Sequence, residues 1–195
     1  MFKSRSALDS FRAHPGTAGG QALTLGEVAE SGLLQLGVYP GATARCAAAV
    51  LPIVGELPTS AAQATASGNQ LIMRIAPDQY WVVGGDARLS ARLASAIPAD
   101  AGCVISLEGA RTRLLIEGPA ARATLSRLVA VDLHPSAFPV HAFAQTGIHH
   151  VGGLLIRVGE ERYEFFALRT FAASTWEVLL DAAHSFGFKI ALPES

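Results

Sequence analysis

Five polar side chains lie in or beside predicted strands of the C-terminal half and are the main candidates for a binding site. They are Gln145, Thr146, Arg157, Tyr163 and Arg169. Amide, hydroxyl and guanidinium groups of this kind can line a cleft and bind a carboxylate or a pterin-like amide. A second interpretation makes Arg157 and Tyr163 cross-strand neighbours, whose stems cover a sheet while their polar ends reach water.

The same pair of residue types occurs earlier in the chain at the same spacing. Arg74 and Arg157 are 83 positions apart, and so are Tyr80 and Tyr163. A structural pair repeats when a fold repeats, whereas a ligand site has no such reason to repeat. The recurrence therefore favours the structural interpretation of Arg157 and Tyr163.

Four histidines, His134, His141, His149 and His150, form the densest cluster of titratable side chains. A metal site needs imidazoles that converge at about 2.0–2.1 Å, usually with a carboxylate or a thiolate. Neighbouring residues of an extended segment face opposite sides, so His149 and His150 cannot both point inward. We therefore expect loop histidines at a surface or an interface, and no metal ligand.

Nucleophilic chemistry has no clear signature in the sequence. Cys46 lies in an alanine-rich helical stretch and Cys103 precedes a strand, so both are expected to be inert small hydrophobes. The zinc, nucleotide-binding and hydrolase motifs CxxC, HExxH, GxSxG, GxxxxGK[ST] and a strand-linked GxGxxG are absent. The sequence thus predicts no catalytic, cofactor-binding or metal-binding residue in this chain.

Composition narrows the class of partner. The 195 residues are 50% hydrophobic and only 16% charged, with a net charge of −1. We expect no nucleic-acid partner because there is no basic excess to contact phosphates. The longest apolar run, 46–54, is far shorter than the roughly 20 residues of a membrane span, so we expect no membrane segment and a cytoplasmic protein. A surface this poor in charge is typical of a chain inside an assembly.

Short strands and alanine-rich helices alternate along the chain, which predicts the α+β class with mostly antiparallel sheets. Residues 1–20 are expected to form a loose N-terminal arm. A first half (21–102) and a second half (103–195) repeat the same order of elements and form one folding unit. Strands 104–107 and 112–116 are expected to pair as a hairpin. The other predicted strands cover 33–38, 70–75, 80–83, 153–158 and 163–168, and the predicted helices cover 42–51, 86–97, 118–129 and 172–184.

A set of short motifs follows in a fixed order through the second half. They are Gly118-Pro119-Ala120-Ala121, Asp132-Leu133-His134-Pro135, Phe138-Pro139, Ala144-Gln145-Thr146, Leu154-Leu155-Ile156-Arg157, Tyr163, Arg169-Thr170-Phe171-Ala172, Trp176 and Leu179-Leu180-Asp181-Ala182-Ala183. Together they resemble the gamma subunit of heterotetrameric sarcosine oxidase. Residues 5–8 are similar to that family's N-terminal start, and 21–102 match it only in layout. The chain departs from the family pattern at Thr170, where serine is common, and at His141, where glycine is usual.

The resemblance implies a fold of two pseudo-repeated α/β halves, similar to the folate-binding domains of the glycine-cleavage aminomethyltransferase. It implies a non-catalytic accessory subunit of an enzyme that oxidatively demethylates sarcosine to glycine. Hydrogen peroxide and formaldehyde, captured as 5,10-methylenetetrahydrofolate, are the other products. Alpha, beta and delta subunits are the implied partners; FAD, FMN, NAD and tetrahydrofolate are implied for those subunits, and no cofactor for this chain. Another N-methylated amine stays open as the substrate of the complex.

Two other functions stay open on the sequence. A free-standing folate-binding or aminomethyl-transfer protein needs a carboxylate in its central cleft, and Asp132 and Glu117 are the candidates. Asp132 before Leu-His-Pro is more simply a turn residue. An interaction protein unrelated to amine oxidation also fits the composition.

We predict that the chain expressed alone aggregates or self-associates. A surface poor in charge leaves apolar area that a partner would otherwise cover. Sedimentation velocity over a concentration series measures this directly. A highly soluble monomer at every concentration would contradict the accessory-subunit interpretation.

Overall fold

The sheets of this chain include strands buried at consecutive positions, such as the five residues 163–167 of Arg162–Leu168, and strands that carry buried side chains at every second position. In Arg111–Glu117, for example, Thr112, Leu114 and Ile116 are buried and the residues between them are half-buried, as expected where one face of a sheet is well covered. The computed structural model describes residues 6–11, 22–28 and 32–192. Its strands are β1 (Leu23–Glu27), β2 (Leu33–Val38), β3 (Thr65–Ser67), β4 (Gln70–Ala76), β5 (Gln79–Val83), β6 (Gly102–Ser106), β7 (Arg111–Glu117), β8 (Phe143–Ile148), β9 (Val151–Gly159), β10 (Arg162–Leu168) and β11 (Phe188–Ala191), and its α-helices are α1 (Thr43–Val54), α2 (Leu89–Ala96), α3 (Ala121–Leu125) and α4 (Ala172–Ala183).

Contacts divide the chain into two units. Unit 1 comprises Met1–Ala29 and Gly109–Ser195, and unit 2 comprises Glu30–Glu108. The predicted α+β class with mostly antiparallel sheets is confirmed, since every strand pair among the described residues is antiparallel except β1 with β11. No helix within these residues is both long and apolar enough to cross a membrane.

Unit 2 has a five-stranded sheet in the order β3-β4-β5-β2-β6. Helices α1 and α2 share one apolar core with this sheet, in which Leu36, Val82, Val50 and Leu93 are fully buried. Cys46 is fully buried in the same core, which confirms that it is a small buried hydrophobe. Burial raises the pKa of its thiol, with a smaller contribution from Cys103. The thiol is therefore protonated and inert near neutral pH.

Unit 1 has a six-stranded sheet in the order β11-β1-β7-β10-β9-β8. Helix α4 lies almost where the sequence predicts a helix, because its apolar residues recur every three or four positions. Trp176, Leu179 and Ala183 are fully buried in a core shared with Ile116 and Phe165 of the sheet. Helix α3 is much shorter than the helix predicted over 118–129.

The predicted hairpin of 104–107 with 112–116 is wrong. β6 instead pairs with β2, and Leu107 N–H continues that ladder by donating to Leu33 O. β7 pairs with β1 on one side and with β10 on the other, and not with β6. The contacts divide the chain after residues 29 and 108, and the halves 21–102 and 103–195 stay a prediction. Strand partners are chosen by packing over the whole sheet and not only by nearness in the sequence, which is why the pattern alone misplaces these two strands.

The described part of the expected arm, 6–11, packs on unit 1 instead of lying loose. It contains a short 3-10 helix, Asp9–Phe11. Leu8 is fully buried in the core of unit 1. The ring of Phe11 meets that of Trp176 edge to face, with centroids 6.5 Å apart. The rest of 1–20 lies outside the described residues.

A polar contact holds the same segment to the sheet. The hydroxyl of Ser6 donates a hydrogen bond to the carboxylate of Glu27. The other oxygen of Glu27 accepts from Thr112 Oγ1 at 2.8 Å. Thr112 is buried on β7, so the N-terminal segment is joined through β1 to the middle of the sheet.

Leu8→Ala should lower the free energy of unfolding by about 2–5 kcal/mol, because it removes buried methyl groups and leaves a cavity. Urea unfolding followed by circular dichroism measures the loss. Leu51→Ala is the matched control, since Leu51 is 50% exposed on α1, and should change stability by about 0.5 kcal/mol or less. Equal stability of the two variants would show that the N-terminal segment adds nothing to the core.

Candidate functional site

Arg157 and Tyr163 face each other across the hairpin of β9 and β10, next to a bulge in the register. The guanidinium carbon of Arg157 lies 5.9 Å from the centre of the Tyr163 ring, within the range of a cation–π contact. Arg157 is 7% exposed and Tyr163 1%. The cross-strand interpretation is confirmed, but Arg157 is largely buried and does not extend its polar end freely into water.

The guanidinium of Arg157 is hydrogen-bonded to three backbone carbonyls. Its Nη1 donates to Phe138 O at 2.9 Å, its Nη2 to Glu160 O at 2.7 Å and its Nε to Gly159 O at 3.2 Å. Two of these carbonyls belong to the turn after β9, and the third belongs to the loop before β8. Arg157 thus fastens a distant loop to the end of the hairpin.

Unit 2 repeats this arrangement. Arg74 on β4 is the Cα partner of Tyr80 on β5, again at a bulge. Arg74 donates to Pro77 O, in the turn after its strand, from Nε at 3.2 Å and Nη2 at 2.9 Å. Its Nη1 donates to Thr59 O, in the loop before, at 2.9 Å. The recurrence at 83 positions therefore marks one structural device used twice, although Arg74 is only half-buried.

A cavity of about 470 Å³ lies in unit 1 beside Arg157 and Tyr163. Its walls bring together residues from motifs that are far apart in the chain, namely Gly118, Pro119, Pro135, Pro139, Arg157 and Tyr163. Arg122, Glu160 and Glu161 also line it, so its two cationic and two anionic side chains balance. Most of these residues belong to the family motifs of the sequence, but no local pattern in the sequence indicates that they surround one cavity.

Gly118 is required by the local backbone. Its φ is +118°, and a Cβ there would lie 2.6 Å from Ala22 O. Its N–H donates to Glu161 O at 2.9 Å. A side chain at this position would push apart the β1 end and the hairpin turn that meet there.

The phenol of Tyr163 stays protonated at neutral pH. Burial raises its pKa, and the nearby charges of Arg157 and Arg122 only partly oppose that shift. A protonated phenol cannot serve as a general base. Arg157 already donates to three carbonyls, so the pair stabilises the hairpin and is not arranged to activate a reactant.

The other three members of the polar set do not join this pair. Gln145 and Thr146 lie on the edge strand β8, opposite Leu154 and Gly153, several residues along β9 from Arg157. Arg169 follows the far end of β10, and its N–H donates to Ala110 O at 3.1 Å. At about 3.3 Å per strand residue, Arg169 is roughly 20 Å along the strand from Tyr163. The set as predicted is therefore not one site.

The histidines occupy turns and loops. His134 Nδ1 lies 2.7 Å from Ser136 Oγ. His149 and His150 form the turn between β8 and β9, where their ring centroids lie 3.9 Å apart and the ring planes are tilted by 55°. Over 6–11, 22–28 and 32–192, no three His, Cys, Asp or Glu side chains gather in a way that would hold a metal ion. The absence of a metal ligand stays a prediction.

The backbone at His141 has a conformation that explains why glycine is the residue expected there. Its φ is +69°, in the left-handed region that favours glycine. Its N–H donates to Arg157 O at 2.7 Å, which holds the residue in this conformation. The glycine usual in the family adopts such a φ without strain.

The two candidate folate carboxylates have structural partners. Asp132 Oδ1 accepts from His134 N–H at 2.9 Å, an Asx turn as the simpler interpretation expects. Glu117 lies in the sheet and forms a half-exposed ion pair with Arg162 at 3.5 Å. Neither is among the residues that line the cavity beside Arg157. Cys103, the second cysteine, is half-buried and free.

Comparisons with known proteins agree on one family. The family model for the GCVT N-terminal domain matches residues 61–191. The curated relatives include the sarcosine oxidase subunit gamma of Corynebacterium sp. (strain U-96), 31% identical over 171 residues, which are 87% of this chain and 83% of that one. The corresponding subunit of Arthrobacter sp. is 30% identical over 172 residues, with the same coverage.

Two solved structures share the fold. A chain of the heterotetrameric sarcosine oxidase from Corynebacterium sp. U-96, in complex with pyrrole 2-carboxylate, matches with a TM-score of 0.80 at 29% identity. The match covers 94% of this chain and 96% of that one. The glycine cleavage system aminomethyltransferase T from Bartonella henselae matches with a TM-score of 0.60 at 18% identity, over 88% of this chain and 48% of that one. The predicted aminomethyltransferase-like fold is confirmed.

Arg157→Met should lower the free energy of unfolding by about 2–4 kcal/mol, because three carbonyls lose a charged donor in a buried place. Arg74→Met should cost about 1 kcal/mol or less, because water reaches the half-buried site of Arg74 and replaces its donors. Urea unfolding of the two variants compares the repeated positions directly. A smaller loss at Arg157 than at Arg74 would contradict the role assigned to the buried guanidinium.

Proposed function

Because the chain belongs to the family of sarcosine oxidase gamma subunits, we propose that it is the accessory gamma subunit of a heterotetrameric sarcosine oxidase. The complex oxidatively demethylates sarcosine to glycine, with hydrogen peroxide and formaldehyde or 5,10-methylenetetrahydrofolate as the other products. One observation carries the proposal: the 31% identity to a curated gamma subunit extends over 87% of this chain and 83% of that one. A match along nearly the whole of both chains is what a shared subunit role requires, whereas a shared domain alone would match in part.

The chain is proposed to contribute no catalytic residue and no cofactor site of its own. In support, the guanidinium of Arg157 is held by carbonyls, and Tyr163 is protonated. Asp132 and Glu117 have structural partners. FAD, FMN, NAD and tetrahydrofolate are accordingly assigned to the alpha, beta and delta subunits, and the complex to the cytoplasm.

The proposed contribution of the chain is contact area for the larger subunits. Five large apolar side chains are 41–50% exposed, and they occur in both units: Tyr39, Leu51, Ile105, Leu168 and Phe171. A stable heteromeric interface buries roughly 2,000 Å² or more and is largely apolar. Exposed apolar residues on a chain with 16% charged residues are typical of such a surface.

Purification of the tagged chain from its native cell tests this function. We expect a yellow complex with larger flavin-bearing chains, which produces hydrogen peroxide when sarcosine is added. A panel of other N-methylated amines in the same assay identifies the substrate that the complex prefers. The untagged strain taken through the same purification is the control.

A colourless chain that purifies alone would overturn the accessory-subunit proposal. Titration of that material with tetrahydrofolate would then test the folate-binding alternative. A yellow complex that oxidises another N-methylated amine but not sarcosine would keep the subunit role and correct the substrate.

A further inference from the structure

The outer edge of β6 is an unpaired sheet edge in unit 2. β6 ends the order β3-β4-β5-β2-β6 and has β2 as its only strand partner among the described residues. Its five residues, Gly102–Ser106, include no charged side chain and no proline. Natural sheets commonly protect a free edge with charged side chains or proline. Ile105 on this strand is 48% exposed.

The ladder with β2 fixes which backbone groups point outward. Leu107 N–H donates to Leu33 O, and Tyr39 N–H donates to Ala101 O. Hydrogen-bonding direction alternates along an antiparallel strand, so Cys103 and Ile105 point toward β2. Gly102, Val104 and Ser106 therefore direct their N–H and C=O groups away from the sheet. No backbone hydrogen bond within the described residues reaches these outward groups.

Unit 1 shows what covers the corresponding edge. Both β6 in unit 2 and β1 in unit 1 pair antiparallel with the first strand of the repeated motif, β2 or β7. Val38 and Ile116 are equivalent residues, since they precede the matching turns at Pro40 and Pro119. Gly102 of β6 faces Val38, and Leu25 of β1 faces Ile116, so the two strands match in register. β1 carries one more strand on its outer side, β11, which runs parallel to it.

The opposite edges of the two sheets are alike. β3 and β8 are the terminal strands, and neither has a further partner among the described residues. The two sheets thus differ in strand number at one place. Among the described residues, unit 2 has no strand on the outer side of β6, where unit 1 has β11 on the outer side of β1. The outward groups of β6 have the direction that the groups of β1 use to bind β11.

We propose that the outer edge of β6 binds an extended segment of one of the larger subunits, which adds a sixth strand to unit 2. This inference rests on the proposed function for its occupant. Backbone hydrogen bonds supply the recognition, as in other cases of strand addition. β11 gives the pattern expected of the segment: Phe188 and Ile190 pack with the core of unit 1, and Lys189 between them is exposed. The segment should therefore run parallel to β6 and alternate apolar and polar residues, with its apolar side chains beside Val104.

Hydrogen–deuterium exchange of the wild-type protein tests the contact without a mutation. The peptide 102–107 is compared in the isolated chain and in the purified complex. We expect the outward amides of Val104 and Ser106 to exchange about tenfold more slowly or better in the complex, because strand addition gives them acceptors. Equal exchange in the two samples would overturn the proposal.

Val104→Pro removes one outward N–H and leaves the inward bonds of Cys103 and Ile105 in place. Proline is tolerated on an edge strand whose N–H faces away from the sheet. Val104→Thr is the control, since it keeps the N–H and nearly the same shape. Circular dichroism should show both variants folded. With tagged variant chains, we expect the larger subunits to be recovered about tenfold less with Val104→Pro than with Val104→Thr.

The outcomes separate the two proposals. If wild-type chain purifies without flavin-bearing subunits, the proposed function fails and the occupant of β6 fails with it. If wild type and folded Val104→Pro assemble equally well, only the strand-addition proposal is overturned. Protection of 102–107 that grows with the concentration of the isolated chain would assign the edge to a second copy and overturn the proposal as stated. Should Val104→Pro be unfolded, the exchange comparison alone decides.

Discussion

The surrounding part of unit 1 depends on the buried guanidinium of Arg157, because it supplies donors to three backbone carbonyls. A carbonyl removed from water must find a donor, and the loop before β8 presents Phe138 O with no strand beside it. Arginine carries five donors in a rigid fork, so one side chain can reach this loop and the hairpin turn together. The proline-rich wall of the cavity is positioned as a result. Lysine presents its three donors from a single nitrogen and lacks the planar fork that spans the two segments here.

The same device in unit 2 shows how the two repeats have diverged. Arg74 also joins a preceding loop to the turn that follows its strand, but it is half-buried where Arg157 is nearly inaccessible. Water can replace the donors of Arg74, which relaxes the demand on the neighbouring sequence. The family motifs are dense in the second half, where several of their residues line one cavity, while the identity to the curated gamma subunit extends over 87% of the chain.

Local patterns in the sequence predicted the elements more reliably than their partners. Strand 33–38 and helix 172–184 are found almost as predicted, because each has a clear period and a clear end. The Arg–Tyr recurrence predicted a true cross-strand pair. β1, β8 and β11 were missed, because four to six residues of alternation are too short to stand out. The burial of Leu8 depends on a core built from residues more than 100 positions later, and no local signal carries that information.

Unit 1 is discontinuous in the chain, since β1 lies between β7 and β11 while all of unit 2 intervenes. During synthesis β1 emerges first, β7 follows only after the whole of unit 2, and β11 follows α4. Unit 2 is continuous, so its five strands can pair as soon as residue 108 has emerged. Until β7 has emerged, Leu23 and Leu25 have no strand of their own sheet to pair with. The nascent chain therefore carries Leu23 and Leu25 without their sheet while all of unit 2 is synthesised, an interval in which a chaperone for extended apolar segments could bind them.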